Sequence, residues 1–231
     1  MDYNDTEWNN YRERFSKVYD NSNYSGGIQS LVMRESHKLS EKAFSPRVHF
    51  EKVLEVGSGT GEHFKYVRHT FSTYIITDAD ENALGIAKTK ISNAEQQNIK
   101  FEVQSAENLS YQDGTFDRLL ACHVLEHLYH PHLVLQEWHR VLKDEGVLSV
   151  LLPTDPGLAW RLGRHLGPRK NALAQGIAYD YIMAREHVNS CNNLIYLLRH
   201  YFPGAKESWW PLPIPSIDLN LFFAFHATVK K

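Results

Sequence analysis

The chain has 231 residues, 42% hydrophobic and 23% charged, with a formal net charge of −2. That length and balance fit one globular domain with an elaboration and exclude a disordered or fibrous chain. Near-neutral charge offers no field for a polyanion, so no nucleic-acid partner is expected. No apolar run, "VLSVLL" included, approaches the ~20 residues of a membrane span.

In chain order, residues 1–45 read as an N-terminal helical cap. Trp8, Tyr11, Phe15 and Tyr19 recur at spacings of three and four, the mark of an amphipathic helix face, and Ser45-Pro46 ends it. The acidic, polar start "MDYNDTEWNN" predicts no signal peptide. Cys122 and Cys191 are the only cysteines, which suits a reducing, cytoplasmic location.

Residues 46–153 alternate between two periods. "KVLEVG" reads as a strand, "GEHFKYVRHTF" as a helix, "TYIITDAD" as a second strand and "ENALGIAKTKISNAEQQ" as a second helix. "IKFEVQSAEN" and "FDRLLACHV" are a third and fourth strand; "HLVLQEWHRVLKDEG" is a helix with Gly146 as its stop. "VLSVLLP" is the fifth strand. Alternation of this kind predicts βαβ units in a doubly wound, Rossmann-like α/β fold with a mostly parallel sheet. Residues 154–190 interrupt the pattern as an inserted lid or acceptor-binding segment. Residues 191–231 supply a final helix, "CNNLIYLLRHYF", and two more strands, for seven strands in all.

The chemistry starts at "VLEVGSGTGEH". Gly57, Gly59 and Gly61 sit between the first strand and the first expected helix, where glycine lets backbone approach a ligand. A dinucleotide loop needs G-x-G-x-x-G; here the third glycine comes one residue early and Glu55 precedes the first. A carboxylate there disfavours pyrophosphate and suits a cationic or amine-bearing ligand.

The E-x-G-x-G-x-G loop resembles motif I of the class I S-adenosylmethionine-dependent methyltransferases. The other motifs come in register over residues 50–153, closest to the small-molecule and lipid-headgroup, ubiquinone-biosynthesis-like branch. The resemblance implies S-adenosyl-L-methionine as cofactor, with Glu55, Gly57, Ser58, Gly59 and Gly61 around it. Asp78 in "IITDADENAL" matches the acid that binds the ribose hydroxyls, with Ala79 beside it; a carboxylate can accept both hydroxyl hydrogen bonds. Asp80 reads as a helix N-cap. Ser105-Ala106-Glu107 stands where the family often has Asp-Ala near the adenine, and Asp144-Glu145-Gly146 where it has Pro-Gly-Gly.

Cys122 and His123 fall where the fourth strand ends, the edge at which such sheets bind ligands. Both are assigned to the cofactor pocket, although a small packed thiol is the plainer role for Cys122. His63 reads as an exposed residue at a helix start. His123-Val-Leu-Glu-His127 also spells H-x-x-E-H, an inverted zinc-peptidase pattern, but a strand-to-helix setting splits its two imidazoles. In the resembled family Glu126 and His127 recur here without making a zinc site, and no metal is expected. His127, His130, His132 and His139 read as solvated or capping.

In the insertion, Arg161, Arg164, Arg169 and Lys170 accompany Trp160 without an acid between Pro156 and Asn171. They read either as a solvated face or as a lid in peripheral contact with a membrane through Trp160–Lys170. Tyr11, Tyr19, Tyr24, Tyr179, Tyr181, Glu186 and His187 are the candidates for the acceptor pocket, with core packing as the alternative for the tyrosines. The implied reaction transfers a methyl group to nitrogen or oxygen of a small-molecule, lipid-headgroup or glycan-precursor acceptor. An oxygen acceptor calls for a base, and His123 and His187 are the catalytic candidates. A non-catalytic binding scaffold, or a zinc hydrolase using His123, Glu126 and His127, are the competing readings.

Overall fold

The computed structural model describes Asp5, residues 7–9, Tyr11, residues 27–91 and residues 95–231. Helix α1, Gly27–Glu41, leads to strand β1, His49–Val56. After β1 come β2 (Thr70–Asp78), α2 (Glu81–Lys90), β3 (Ile99–Val103) and β4 (Phe116–Cys122). Next are α3 (Pro131–Val141) and β5 (Leu142–Pro153). The insertion folds as α4 (Leu158–Leu166), α5 (Pro168–Ala174) and α6 (Tyr179–Glu186). Helix α7 (Cys191–Tyr201), β6 (Lys206–Trp210) and β7 (Phe222–Thr228) complete the chain. Tyr19 and Tyr24 lie outside the described residues.

Among the described residues, seven strands form one sheet in the order β3-β2-β1-β4-β5-β7-β6. Strands β1 to β5 run parallel, and β7 is antiparallel to both β5 and β6. This is the mostly parallel, doubly wound sheet the alternation predicts. The order reverses between β1 and β4, so a crevice opens at their carboxyl ends.

The two faces of the sheet differ chemically. On one, Leu54, Leu119, Leu148, Phe223 and Phe225 meet Trp138 of α3 and Leu194 and Leu198 of α7 in a wholly apolar core. Strand alternation sends the next residues to the opposite face. There Arg118 of β4 is fully buried against Glu41 at the end of α1, with Nη2 2.5 Å from Oε1 and Nη1 3.3 Å from Oε2. Arg118 Nε donates to Ser149 Oγ at 3.2 Å, and the Phe44 ring lies 3.9 Å from the guanidinium carbon. Burial opposes charge on Glu41, but the Arg118 guanidinium outweighs it and holds the carboxyl far below the ordinary range.

The helix read from "GEHFKYVRHTF" does not form; the segment makes only a 3-10 turn at Phe64–Tyr66. Length explains it. The eight residues of β1 span about 26 Å, whereas a helix over all of 57–69 would climb back only about 20 Å. The crossover therefore runs as consecutive turns, and Glu41 pins it by accepting from His63 Nε2 at 3.1 Å and the Arg68 amide at 3.2 Å. His63, expected at an exposed helix start, is 2% exposed. Helix α3 likewise does not run to Gly146: it ends at Val141, and Leu142 already pairs with Phe116 as the first residue of β5.

Two outcomes are expected. Arg118→Met leaves the Glu41 carboxylate buried without its partner and should lower unfolding free energy in urea by about 3–5 kcal/mol, with Glu41→Gln in the same chain recovering much of it. His226, buried beside Arg118, has its pKa lowered by burial and by that cation from the ordinary 6.5 to about 4. A depressed pKa contributes stability that is full above 6.5 and is lost as the pH falls towards about 4. The unfolded chain takes up the proton first, at a limit of about 1.4 kcal/mol per pH unit. His226→Gln should flatten the stability–pH curve in that window, read by urea midpoints at successive pH values.

Candidate functional site

The crevice at the carboxyl ends of β1, β2, β3 and β4 is a cleft of about 420 Å³, within the range of small-molecule sites. Glu55, Gly57, Ser58, Gly59, Asp78, Ala79, Ser105, Ala106, Glu107, Cys122 and His123 all line it. Gly61 does not. Its left-handed backbone (φ +76°) brings it against α2, where an added Cβ would sit 2.9 Å from Ala87 Cβ. The third glycine of the loop therefore serves packing rather than the cleft. Gly59 is the opposite case: at φ +54° an added Cβ meets nothing of the chain within 4 Å, so its missing side chain is space for a ligand.

Asp78 ends β2 and braces the loop. Its Oδ2 accepts from the Gly59 amide at 2.7 Å and its Oδ1 from the Asp80 amide at 2.9 Å. Burial raises its pKa, and those amides pull it back. Asp80, as expected, caps α2 by accepting from the Asn82 amide at 2.9 Å. Glu55 is 1% exposed on the cleft floor and accepts from the Tyr74 hydroxyl at 2.7 Å. Burial pushes its carboxyl up, against the opposing effects of His63 and Tyr74. Such a group gains from a cation placed above it. The Ser105–Glu107 wall is held from outside the cleft: Trp138 Nε1 donates to the Ala106 carbonyl at 3.0 Å.

The same cleft is also lined by His37, His123, His127, Leu128, Tyr129 and Glu186. His123 stands at φ 59°, directly after β4. Ser36 Oγ donates to the Met33 carbonyl at 2.7 Å and lies 3.2 Å from His123 Nε2. The hydroxyl proton is thus engaged, and Ser36 accepts from His123 Nε2–H. The other ring nitrogen of His123, Nδ1, lies 3.7 Å from Glu126 Oε1. Glu126 is buried and its Oε2 has no hydrogen-bond partner among the described residues. Burial acts to raise its carboxyl, but His123 and His127 hold it below the ordinary range. His127 closes a 3-10 turn at Leu125–His127 rather than lying in the next helix. Its Nδ1 is 2.8 Å from the Glu186 carbonyl. His130 precedes α3 without making a side-chain cap.

Several acceptor-side expectations fall elsewhere. His187 does not line the cleft; its Nδ1 is 2.8 Å from Asp155 Oδ2, and its ring lies 5.1 Å from that of His127. Tyr179 faces Arg164, 5.4 Å away. Tyr181 bonds to Asp5, as does Arg185, whose guanidinium covers the Trp8 ring at 4.0 Å. Tyr11 packs on Trp8 at 5.8 Å. Tyr181 and Arg185 thus fasten Asp5 and Trp8 to α6, and none of Tyr11, Tyr179 and Tyr181 lines the cleft. In the insertion, Trp160 turns inward against Phe222 and His187. Arg164 pairs with Asp155 and Arg169 with Asp180, which leaves Arg161 and Lys170 on the exposed surface.

Sequence reasoning passed over His37 and undervalued His63 and Cys122. His37 Nδ1 lies 3.0 Å from His63 Nδ1, and Cys122 Sγ lies 3.3 Å from that same nitrogen. Burial and the neighbouring His63 and His123 hold the His37 pKa well below its ordinary value. Burial also acts against charge on His63, but Cys122 and Glu41 outweigh it and raise its pKa. A histidine on an N-terminal helix has no sequence signal that ties it to a loop 26 residues on.

Residues 54–150 match the methyltransferase domain family. Methyltransferase GfsG of Streptomyces halstedii is 31% identical over 101 residues, which are 43% of this chain and 36% of that protein. Ubiquinone/menaquinone biosynthesis C-methyltransferase UbiE of Rickettsia prowazekii is 29% identical over 157 residues, 63% of this chain and 61% of that one. The chain thus spans only part of the length of the curated relatives it matches. Among solved structures, an S-adenosylmethionine-dependent methyltransferase of Thermotoga maritima superposes with a TM-score of 0.61 at 19% identity. That superposition covers 97% of this chain and 99% of that one, and is a likeness of fold.

S-adenosylmethionine fits the cleft on the chain's own features: the space above Gly59, the Asp78 carboxylate lining the cleft at the end of β2, and a buried Glu55 suited to a cationic amine. Asp78→Ala should abolish the rise in melting temperature produced by S-adenosylmethionine. Gly61→Val should retain a rise but start from a fold weakened by about 1–3 kcal/mol, both read by thermal shift with and without the cofactor.

Proposed function

We propose that this chain, which belongs with the class I S-adenosylmethionine-dependent methyltransferases, moves a methyl group onto nitrogen or oxygen of a small-molecule acceptor, such as a lipid headgroup or glycan precursor. One observation carries this reading. One cleft is lined both by Glu55, Gly59 and Asp78 and by His123, His127, Tyr129 and Glu186.

The bound cofactor supplies an activated methyl on a sulfonium, so the chain's residues need only position the acceptor, exclude water and manage one proton. Asp78 and the Ser105–Glu107 wall orient the nucleoside, and Glu55 faces the charged amine. His123 takes the proton on Nδ1, where Glu126 stabilises the resulting imidazolium. His187 stands one layer back, beside His127, and acts by positioning.

Carbon methylation is the second reading, supported by the relationship to UbiE; it uses the same proton acceptor. Peripheral contact with a lipid surface belongs to this proposal as well. Leu158, Leu162 and Leu166 lie exposed at four-residue spacing on α4, with exposed Arg161 beside them, a pattern suited to anionic lipid.

Incubation with methyl-labelled cofactor and a metabolite and lipid extract should yield labelled product, and fragmentation then places the label on nitrogen, oxygen or carbon. His123→Ala should lower kcat by about 10²-fold or more, with a smaller loss for His187→Asn. Cofactor binding with no labelled product in any fraction would overturn the enzyme reading in favour of a binding scaffold.

A further inference from the structure

We infer that His37, His63 and Cys122 form a binding site for a soft, zinc-class metal cation, with one coordination position open to the cleft. The three ligand atoms lie within 4.8 Å of one another. His37 Nδ1 and His63 Nδ1 are 3.0 Å apart, and His63 Nδ1 and Cys122 Sγ are 3.3 Å apart. Zinc bonds of about 2.0–2.1 Å to nitrogen and 2.3 Å to sulfur place ligand atoms of a tetrahedral site about 3.3–3.6 Å apart. The two separations to His63 need only a few tenths of an ångström of expansion, and the third pair lies within 4.8 Å.

The surroundings set the proton positions that such a site requires. Glu41 is held as a carboxylate by the fully buried Arg118, so it can only accept from His63 Nε2. His63 Nδ1 is therefore the ring nitrogen left to face His37 and Cys122. A carboxylate behind a histidine is the arrangement that orients imidazole for a metal and raises its basicity. Without a cation, that one nitrogen is shared between two groups, and any proton it carries is displaced when a metal binds. A cation engages all three ligand atoms together.

The set of one thiol and two imidazoles selects zinc or copper(I) over magnesium and calcium. All three residues line the cleft, so the fourth position is available to water or to a heteroatom of the acceptor, as in sites that keep an open position. The H-x-x-E-H residues make no such group: His123 Nε2 is committed to Ser36, and His127 Nδ1 to Glu186.

The test uses the full chain, treated with a chelator and then titrated with Co²⁺ in the absence of S-adenosylmethionine. One equivalent should bind, with the visible bands of tetrahedral cobalt and a thiolate-to-cobalt charge-transfer band, both erased by Zn²⁺. Cys122→Ser should abolish the charge-transfer band, and Cys191→Ser should leave it intact. His37→Gln should weaken binding by at least about tenfold; this variant decides the matter if Cys122→Ser does not fold. The inference is overturned if the chain binds no cobalt, or if the spectrum is unchanged in the folded Cys122→Ser or His37→Gln variant. Because the readout is metal binding without cofactor or acceptor, its failure leaves the methyl-transfer proposal untouched.

Discussion

Glu41 is the point on which one whole side of the molecule turns. A single carboxylate at the end of α1 accepts from Arg118 of β4, from the His63 ring and from the Arg68 amide. It thereby joins a helix, a central strand and the crossover that no helix stabilises. Buried ion pairs are poor sources of net stability, since desolvating both charges cancels most of their attraction. What this pair contributes is definition. With residues 57–69 between β1 and β2 and only one 3-10 turn among them, the loop residues could satisfy their polar groups in several ways. The anchored carboxylate selects one, and it fixes the floor of the cleft as it does so.

The apolar and polar faces of the sheet divide the labour accordingly. Trp138 and the helices α3 and α7 give the side that simply packs, and from it Trp138 also reaches through to steady the Ala106 carbonyl at the rim. The other side carries buried charge and histidine just behind the ligand-facing loops. Changes of charge at the cleft are therefore felt by a low-dielectric layer in which unpaired charges are costly and paired ones are tightly coupled.

The strand pattern was legible because periodicity is local: "KVLEVG", "TYIITD", "FDRLLAC" and "VLSVLL" each announce a strand, and their alternation with helices implies the sheet. Much of the cleft lining was legible for the same reason, since Glu55, Gly59, Asp78 and Ser105–Glu107 sit at or just beyond the ends of those strands. Where local reading misjudged, a non-local quantity was in command. The missing helix after β1 is set by the length of strand it must retrace, and the stop of α3 by pairing of Leu142 with Phe116. His37, Glu41 and Arg118 gave no signal at all, because a helical histidine, a helical glutamate and a strand arginine acquire meaning only when brought together. The tyrosines Tyr11, Tyr179 and Tyr181 show the converse: their chemistry suited a cation pocket, but their partners are Trp8, Arg164 and Asp5.

The seating of α1 also has a consequence for the order in which the molecule is assembled. Met33 packs on Leu151, Phe222 and Ala224, and Glu41 waits for Arg118. Helix α1 finds these partners only in segments that come much later in the sequence, β7 among them. Long-range pairings of this kind close late, and an amphipathic helix left unpartnered meanwhile is exposed to wrong contacts. The wall of the cleft that carries His37 is therefore among the last parts of the fold to be completed, and a chain released short of β7 would possess its glycine loop without the chamber around it.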